Sequence, residues 1–400
     1  MSRTRIVFFV VIALAVLIVA GALIWQAVGG AGSTGEATLD LPDAPERLTV
    51  QVVCALPVEP WVQEAARQFN AGEHELNGIP IEVTIIPMDG WTALNRLERG
   101  EMDPIPTAWI PESRYLVDLV NVVYKERLGR DVFLTDGEYR ARPIAVSLLA
   151  WGIYESRAQV LQTAYGEITW QAIHDAAILS GGWKDIGGQD DWLYFKLAIS
   201  NPRKNISGLG AMIAAAGEYY DSTAIGADEV GNADFQRWMQ EILSSMSDLS
   251  GGAYTVNDLA LFGYSTGDAG QLLESDLLTN MAGIQTRWAD PLRIYYPKYV
   301  TWFDFPFTVW MGPETTALEK NAALEFENFL LSEAMQRDAL ARGLRPVNPD
   351  IPLDAEGSLF VQWQDQGAML VVPRTTRMKS PDRDTLVGLL QWFDRNIAGR

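Results

Sequence analysis

The chain has 400 residues, with 31 basic and 51 acidic side chains, a net charge of −20 and an apolar share of 48%. That apolar share excludes a disordered chain and supplies core for about two domains or lobes. The acidic balance excludes a nucleic-acid binder, which needs a basic footprint. With two histidines (His74 and His174) and one cysteine (Cys54), no intrachain disulfide can form. A Cys/His zinc site lacks ligands, and no metal or cofactor is implied.

Arg3 and Arg5 precede residues 6–28, an uncharged apolar run. A membrane span needs about 20 such residues and a signal-peptide core about 7–15. The length favours a retained anchor, and the two arginines orient it with the rest of the chain outside. Ala27 and Gly29 also have cleavage-site spacing, so 1–30 reads as a signal anchor or signal peptide. Residues 31–45, rich in Gly, Ala, Ser, Thr and Asp, read as a flexible tether.

From 46 onward the pattern alternates. Residues 48–54 (LTVQVVC) are β-branched and strand-like. Pro60 opens a helix with Val62, Ala65, Ala66 and Phe69 on one face, stopped by Gly72. Residues 79–86 alternate as a second strand, and Trp91, Leu94 and Leu97 have helical spacing. A third strand is expected over 107–110 and a helix over 114–124. This β-α repetition predicts a parallel sheet covered by helices. Residues 144–154 form another apolar strand. Extended pieces are expected at 292–296, 307–310 and 369–372. Thr316 and Glu319 have capping-box spacing at the head of a helix over 316–331. Ser332 heads the next helix, and 385–396 reads as the last.

Four stretches carry a resemblance. They are PTAWIPES (106–113), ISNPRKNISGLGAM (199–212), YPKYVTWFDFPFTVW (296–310) and AALEFENFLLSEAMQRDALARGLRP (322–346). In this order they resemble bacterial extracellular solute-binding proteins of the type II periplasmic-binding fold. The branch is one often associated with von Willebrand factor A domains. The resemblance spans about 46–396 and implies an α/β, two-lobed fold behind an N-terminal transmembrane anchor. Lobe 1 would combine 46–145 with 300–400, lobe 2 would be 146–299, and the chain would cross near 144–151 and 294–301. One departure is Ala55-Leu56-Pro57, where members of the fold often carry serine hydroxyls after the first strand.

Ligand would sit at strand ends and helix N-termini between the lobes. The candidates are Trp109 and Ser113, with Arg114 beside them, at the third strand's end. Ser200, Asn201, Ser207 and Gly208 head an apolar helix. Tyr264, Ser265 and Thr266 present hydroxyls from a glycine-rich stretch, and Arg345 is suited to grip an anion in two-pronged fashion. Each has a plain structural alternative: a helix cap for Ser113 and Ser207, core for Trp109, a turn for 264–266, an ion pair for Arg345.

The expected function is that of a solute receptor at the cell membrane. It would be a single-pass protein with an extracytoplasmic soluble part, binding a small molecule without chemistry and serving an ABC permease. The alternative is an envelope interaction or sensor module on the same fold, partnered by a von Willebrand factor A domain protein.

Overall fold

The computed structural model describes residues 45–247, 256–373 and 376–398. The anchor and tether expected over 1–45 lie almost wholly outside them. No helix among the described residues is long and apolar enough to cross a membrane.

Strand β1 (Leu48–Cys54) buries its apolar residues and is followed by helix α1 (Glu59–Ala71). Trp61, Val62, Ala65, Ala66 and Phe69 of α1 are buried, a face worth about 1.5–3 kcal/mol for each large side chain fully removed from water. After the short β2 (Glu75–Leu76) come β3 (Ile79–Pro87), α2 (Gly90–Arg99), β4 (Ala108–Ile110) and α3 (Arg114–Leu128). β1 pairs in parallel with both β3 (Cys54 beside Pro87) and β4 (Cys54 beside Ile110), so the three strands end at one edge of the sheet.

The chain then changes sheets. β5 (Arg142–Pro143) belongs to the first sheet, and β6 (Ala145–Tyr154) is the spine of the second. β6 is buried along nearly its whole length, which explains its unbroken apolar run. Helices α4 (Glu155–Tyr165) and α5 (Trp170–Ala177) lead to β7 (Leu197–Ala198). Then come α6 (Ile206–Tyr219), α7 (Ala227–Gly231), α8 (Ala233–Leu243) and α9 (Val256–Phe262). β8 (Ala269–Leu273) runs antiparallel to β6 and parallel to β7. After α10 (Glu274–Arg287), β9 (Leu292–Tyr295) and β10 (Trp302–Phe303) pair along β6. β11 (Pro306–Val309) returns to the first sheet, antiparallel to β4.

Helix α11 (Ala317–Leu330) has the expected box, Thr316 Oγ1 accepting from the Glu319 N–H and the Glu319 carboxylate from the Thr316 N–H. It covers the first sheet, and α12 (Glu333–Ala341) follows it.

The expected assignment of 300–400 to one lobe needs correction. After Gly343 the chain returns to the second sheet, where β12 (Arg345–Pro346) fills the edge of β6 beside Ala145 and Val146. α13 (Leu359–Gln362) then packs on α10, and α14 (Arg383–Phe393) packs on α6 and α7. The crossings are also narrower than expected, falling at 143–145 and 303–306, with a third before β12.

Candidate functional site

In open α/β sheets the ligand crevice lies beyond the carboxyl ends of parallel strands. Here that edge carries the loops after β1, β3 and β4. The Ala55 N–H donates to the Ile110 carbonyl at 2.8 Å and the Met88 N–H to Cys54 at 2.9 Å, fixing the three loops side by side. Asp89 caps α2 through the Thr92 N–H, and Ser113 caps α3 through the Tyr115 N–H at 3.3 Å. Ser113 is fully buried in that role.

Between these caps lies Glu112. Its carboxylate accepts the Gly90 N–H at 3.1 Å, and its second oxygen is buried with no partner among the described residues. Burial pushes its pKa from 4.5 to about 7, with the Gly90 N–H acting against the shift and Asp89 adding to it.

The crossings meet at the same edge. The Ile144 N–H donates to the Phe305 carbonyl at 3.3 Å, and the Phe305 N–H to Glu112's carbonyl at 3.3 Å. Phe305 is fully buried at φ +33, a backbone outlier for a bulky residue. Asp304, 1% exposed, points back to α3. It accepts the Arg114 N–H at 3.2 Å and Arg114 Nε at 2.7 Å. Arg377 approaches the same carboxylate at 3.9 Å and lies over the Trp302 ring, 5.2 Å from its centroid.

Arg114, Trp302, Asp304 and Arg377 line a cavity of ≈ 510 Å³, with Glu112 and Phe305 behind its wall. Its wall takes Arg114 from the first sheet's edge, Asp304 from a crossing, Val146 and Trp302 from the second sheet, and Arg377 from the C-terminal segment.

Other predicted residues fall elsewhere. Trp109 is fully buried on β4 against Phe133, its indole N–H unpaired among the described residues. Ser200, Asn201, Ser207 and Gly208 do come together, but as packing. Asn205 is the cap of α6, accepting from the Ser207 N–H at 2.8 Å. A Cβ on Gly208 would stand 2.0 Å from the Ser200 carbonyl oxygen. None of the four lines the cavity.

Arg345 does line it, yet Glu274 balances its charge and four of its five N–H donors are taken. Nε and Nη2 each meet Glu274 at 2.7 Å, and Nη1 and Nη2 also reach the Leu370 and Met369 carbonyls.

Tyr264, Ser265 and Thr266 precede β8, at the end of the second sheet away from the crossings. Thr266 Oγ1 donates to the Asp258 carbonyl, and Tyr264 donates to Asp290. A larger cavity of ≈ 710 Å³ lies at that end. There the Arg157 guanidinium sits between the Trp192 and Tyr264 rings (3.6 and 3.9 Å) and pairs with Asp268 at 3.1 Å. This larger cavity lies at the amino ends of β7 and β8, at the far end of β6 from the crossings, so the smaller cavity is the candidate site.

Reading the sequence missed Glu112, Asp304 and Arg377. Asp304 had a visible signal, a lone acid inside the buried apolar run WFDFPF. Among the described residues no cluster of three His, Cys, Asp or Glu side chains is arranged to hold a metal. His74 stacks on Phe69 at 4.0 Å, and His174 bonds Glu241 at 2.7 Å.

No protein-family model matches the chain, and no curated protein matches its sequence. Solved structures match its fold. The sulfate-binding protein SubI from Mycobacterium tuberculosis H37Rv is 14% identical at a TM-score of 0.52, covering 88% of this chain and 99% of that one. The ferric binding protein from Campylobacter jejuni is 10% identical at 0.54, covering 87% and 97%. The periplasmic binding protein AfuA from Actinobacillus pleuropneumoniae, with fructose-6-phosphate bound, is 13% identical at 0.54, covering 88% and 97%. The described part of the chain therefore has the two-lobed α/β fold of periplasmic solute-binding proteins.

Proposed function

We propose that this protein is an extracytoplasmic solute receptor that takes a small molecule into the cavity beside Asp304 and presents it to an ABC-type importer. The observation that carries the reading is the composition of that cavity's wall. Residues from the first sheet's strand ends, the crossings and the second sheet's side face one space, so a bound solute touches both lobes. Such a ligand favours the closed arrangement by its differential affinity for it, and the narrow crossings are the hinge. Binding, not bond chemistry, is the activity. Tethering through residues 6–28 belongs to this reading on sequence grounds.

A second reading keeps the fold as an envelope interaction module, with a von Willebrand factor A domain protein as one partner. It is favoured by Ala55-Leu56-Pro57, which offers no side-chain hydroxyl at the first strand's end.

The test is the melting temperature of residues 46–400 against oxyanions, organic acids, sugars, amino acids and polyamines. Ligand at 100 times its Kd should add about 2.7 kcal/mol. Stabilisation by one class, lost in Val146→Trp, supports the receptor. A folded sample that no class stabilises overturns it in favour of the interaction module.

A further inference from the structure

We infer that the solute is an organic anion with an apolar body, its charged end held by Arg114 and Arg377; this rests on the crevice reading above. Size comes first. A space of ≈ 510 Å³ is many times a bare tetrahedral oxyanion, and it lies within the roughly 300–1,000 Å³ range of organic-ligand sites.

Charge comes second. Among the described residues Asp304 is the one carboxylate in the cavity wall, and Arg114 satisfies it through its backbone and its guanidinium. Arg377 stands 3.9 Å away, beyond hydrogen-bond length, and is only partly covered. Arg345 is consumed by Glu274 and two carbonyls. Among the described residues, a surplus positive charge therefore faces the cavity from Arg377, beside the half-exposed guanidinium of Arg114. Asp118, one turn along α3 from Arg114, accepts the Ser380 hydroxyl and is not part of the wall.

Third, at the N-termini of α2 and α3, where backbone N–H groups could hold a bare oxyanion, the protein's own carboxylates already take an N–H. Glu112 occupies the Gly90 N–H and Asp304 the Arg114 N–H. What remains for an anion is guanidinium, suited to carboxylate or phosphate oxygens. The rest of the wall is mixed: Val146, Ile351, Leu353, Leu370, Val371 and Val372 give it an apolar side, and Asn348 adds a polar side chain.

The grip also couples to closure. Arg114 is fixed to the first lobe's helix. Arg377 is fixed to the second lobe, because Thr376 accepts the Val300 N–H at 3.1 Å and the Met378 N–H donates back to Val300 at 2.9 Å. An anion spanning both guanidiniums draws the lobes together.

Calorimetric titration of residues 46–400 with octanoate, phenyl phosphate, sulfate, inorganic phosphate, octanamide and maltose tests this. Octanoate or phenyl phosphate should bind, with sulfate, inorganic phosphate and octanamide at least tenfold weaker. Arg377→Gln should weaken the organic anion by about 10- to 100-fold, and Arg377→Lys should restore part of it. Because Arg114→Gln disturbs Asp304 and the fold, Arg377 is the informative position. Inorganic anions binding as tightly as organic ones would overturn the inference. So would maltose binding that Val146→Trp abolishes and Arg377→Gln leaves intact, an outcome that preserves the crevice reading. Absence of binding by every probe overturns the inference, and stabilisation by an amino acid or polyamine in the wider panel would then still uphold the crevice reading.

Discussion

Arg345 and Glu274 form a two-pronged ion pair, each bond 2.7 Å long, with Glu274 fully buried and Arg345 6% exposed. The pair ties β12 to the head of α10, and the Tyr296 hydroxyl donates to the same carboxylate. Charges so placed stabilise only as a pair. Arg345→Met should therefore cost about 3–5 kcal/mol, because it strands a buried carboxylate. Arg345→Met with Glu274→Met should recover most of that loss. Urea denaturation of the three proteins checks the pattern, and a double variant no better than the single one would refute it.

Gly208 is a packing residue with no room to give. Its missing side chain leaves space for the Ser200 carbonyl oxygen, which a Cβ would meet at 2.0 Å, and for the Pro202 nitrogen at 2.8 Å. Both are backbone atoms. Gly208→Ala should destabilise by about 1–3 kcal/mol or more. Gly217→Ala on the same helix meets the Met378 sulfur at 2.4 Å, the far end of a flexible side chain, and should cost less. Melting curves of the two variants rank them, and equal losses would contradict the account.

These two positions also mark how far the sequence can be read. The elements were legible because their signals are local: the β-branched run of β1, the apolar face of α1, and the Thr316–Glu319 box. The site was legible only in part. Ser113 and Arg114 could be placed at a strand end by counting elements. The group that fixes Arg114, Asp304, lies 190 residues on, and no local pattern joins them. Ser207 drew attention as a ligand contact at the head of α6, but it lies within the helix, and Asn205 two residues earlier is the cap, accepting the Ser207 N–H. Tyr264–Thr266 were misplaced for a different reason. Which end of β8 faces the crossings depends on its antiparallel pairing with β6, which is tertiary information.

Glu112 makes stability depend on pH. Its pKa rises from 4.5 to about 7 on folding because it is buried. The folded state therefore holds the proton more tightly than the unfolded chain. The resulting stability is complete below about pH 4.5 and is lost as pH rises through about 7. Glu112→Gln removes the titration. Relative to the parent, its stability should rise by about 2–3 kcal/mol between pH 5 and pH 8. Glu327, raised to about 7 by burial with Arg142 and Arg140 opposing, titrates in the same window but is common to both proteins and cancels. Urea titrations at the two pH values give the difference, and a pH-independent difference would show that Glu112 does not titrate there.

The C-terminal helix spans the two lobes, and this leads to a prediction about motion. In the segment before it, Met378 packs at Gly217 and the Lys379 N–H donates to the Thr223 carbonyl at 2.8 Å, and just after it Asp394 pairs with Arg203, all on the second lobe. At its head, Arg383 Nη1 donates to the Leu119 carbonyl of α3 at 3.0 Å, and Ser380 meets Asp118 at 3.4 Å. α14 is thus fixed to the second lobe and fastened to the first at its head, through Arg383 and the preceding Ser380. A partly exposed bond of this kind is worth about 1 kcal/mol, too little to hold the fold and enough to bias a hinge. Arg383→Ala should lower the melting temperature by less than about 4 °C while broadening the distance between the lobes. Spin labels at Lys125→Cys and Lys184→Cys report that distance by pulsed electron resonance. Cys54 stays unlabelled, since it is buried and its thiol pKa is pushed well up by that burial, with Glu59 and Glu112 adding to the shift. A distribution unchanged by Arg383→Ala would assign the interlobe angle to the crossings at 143–145 and 303–306 alone.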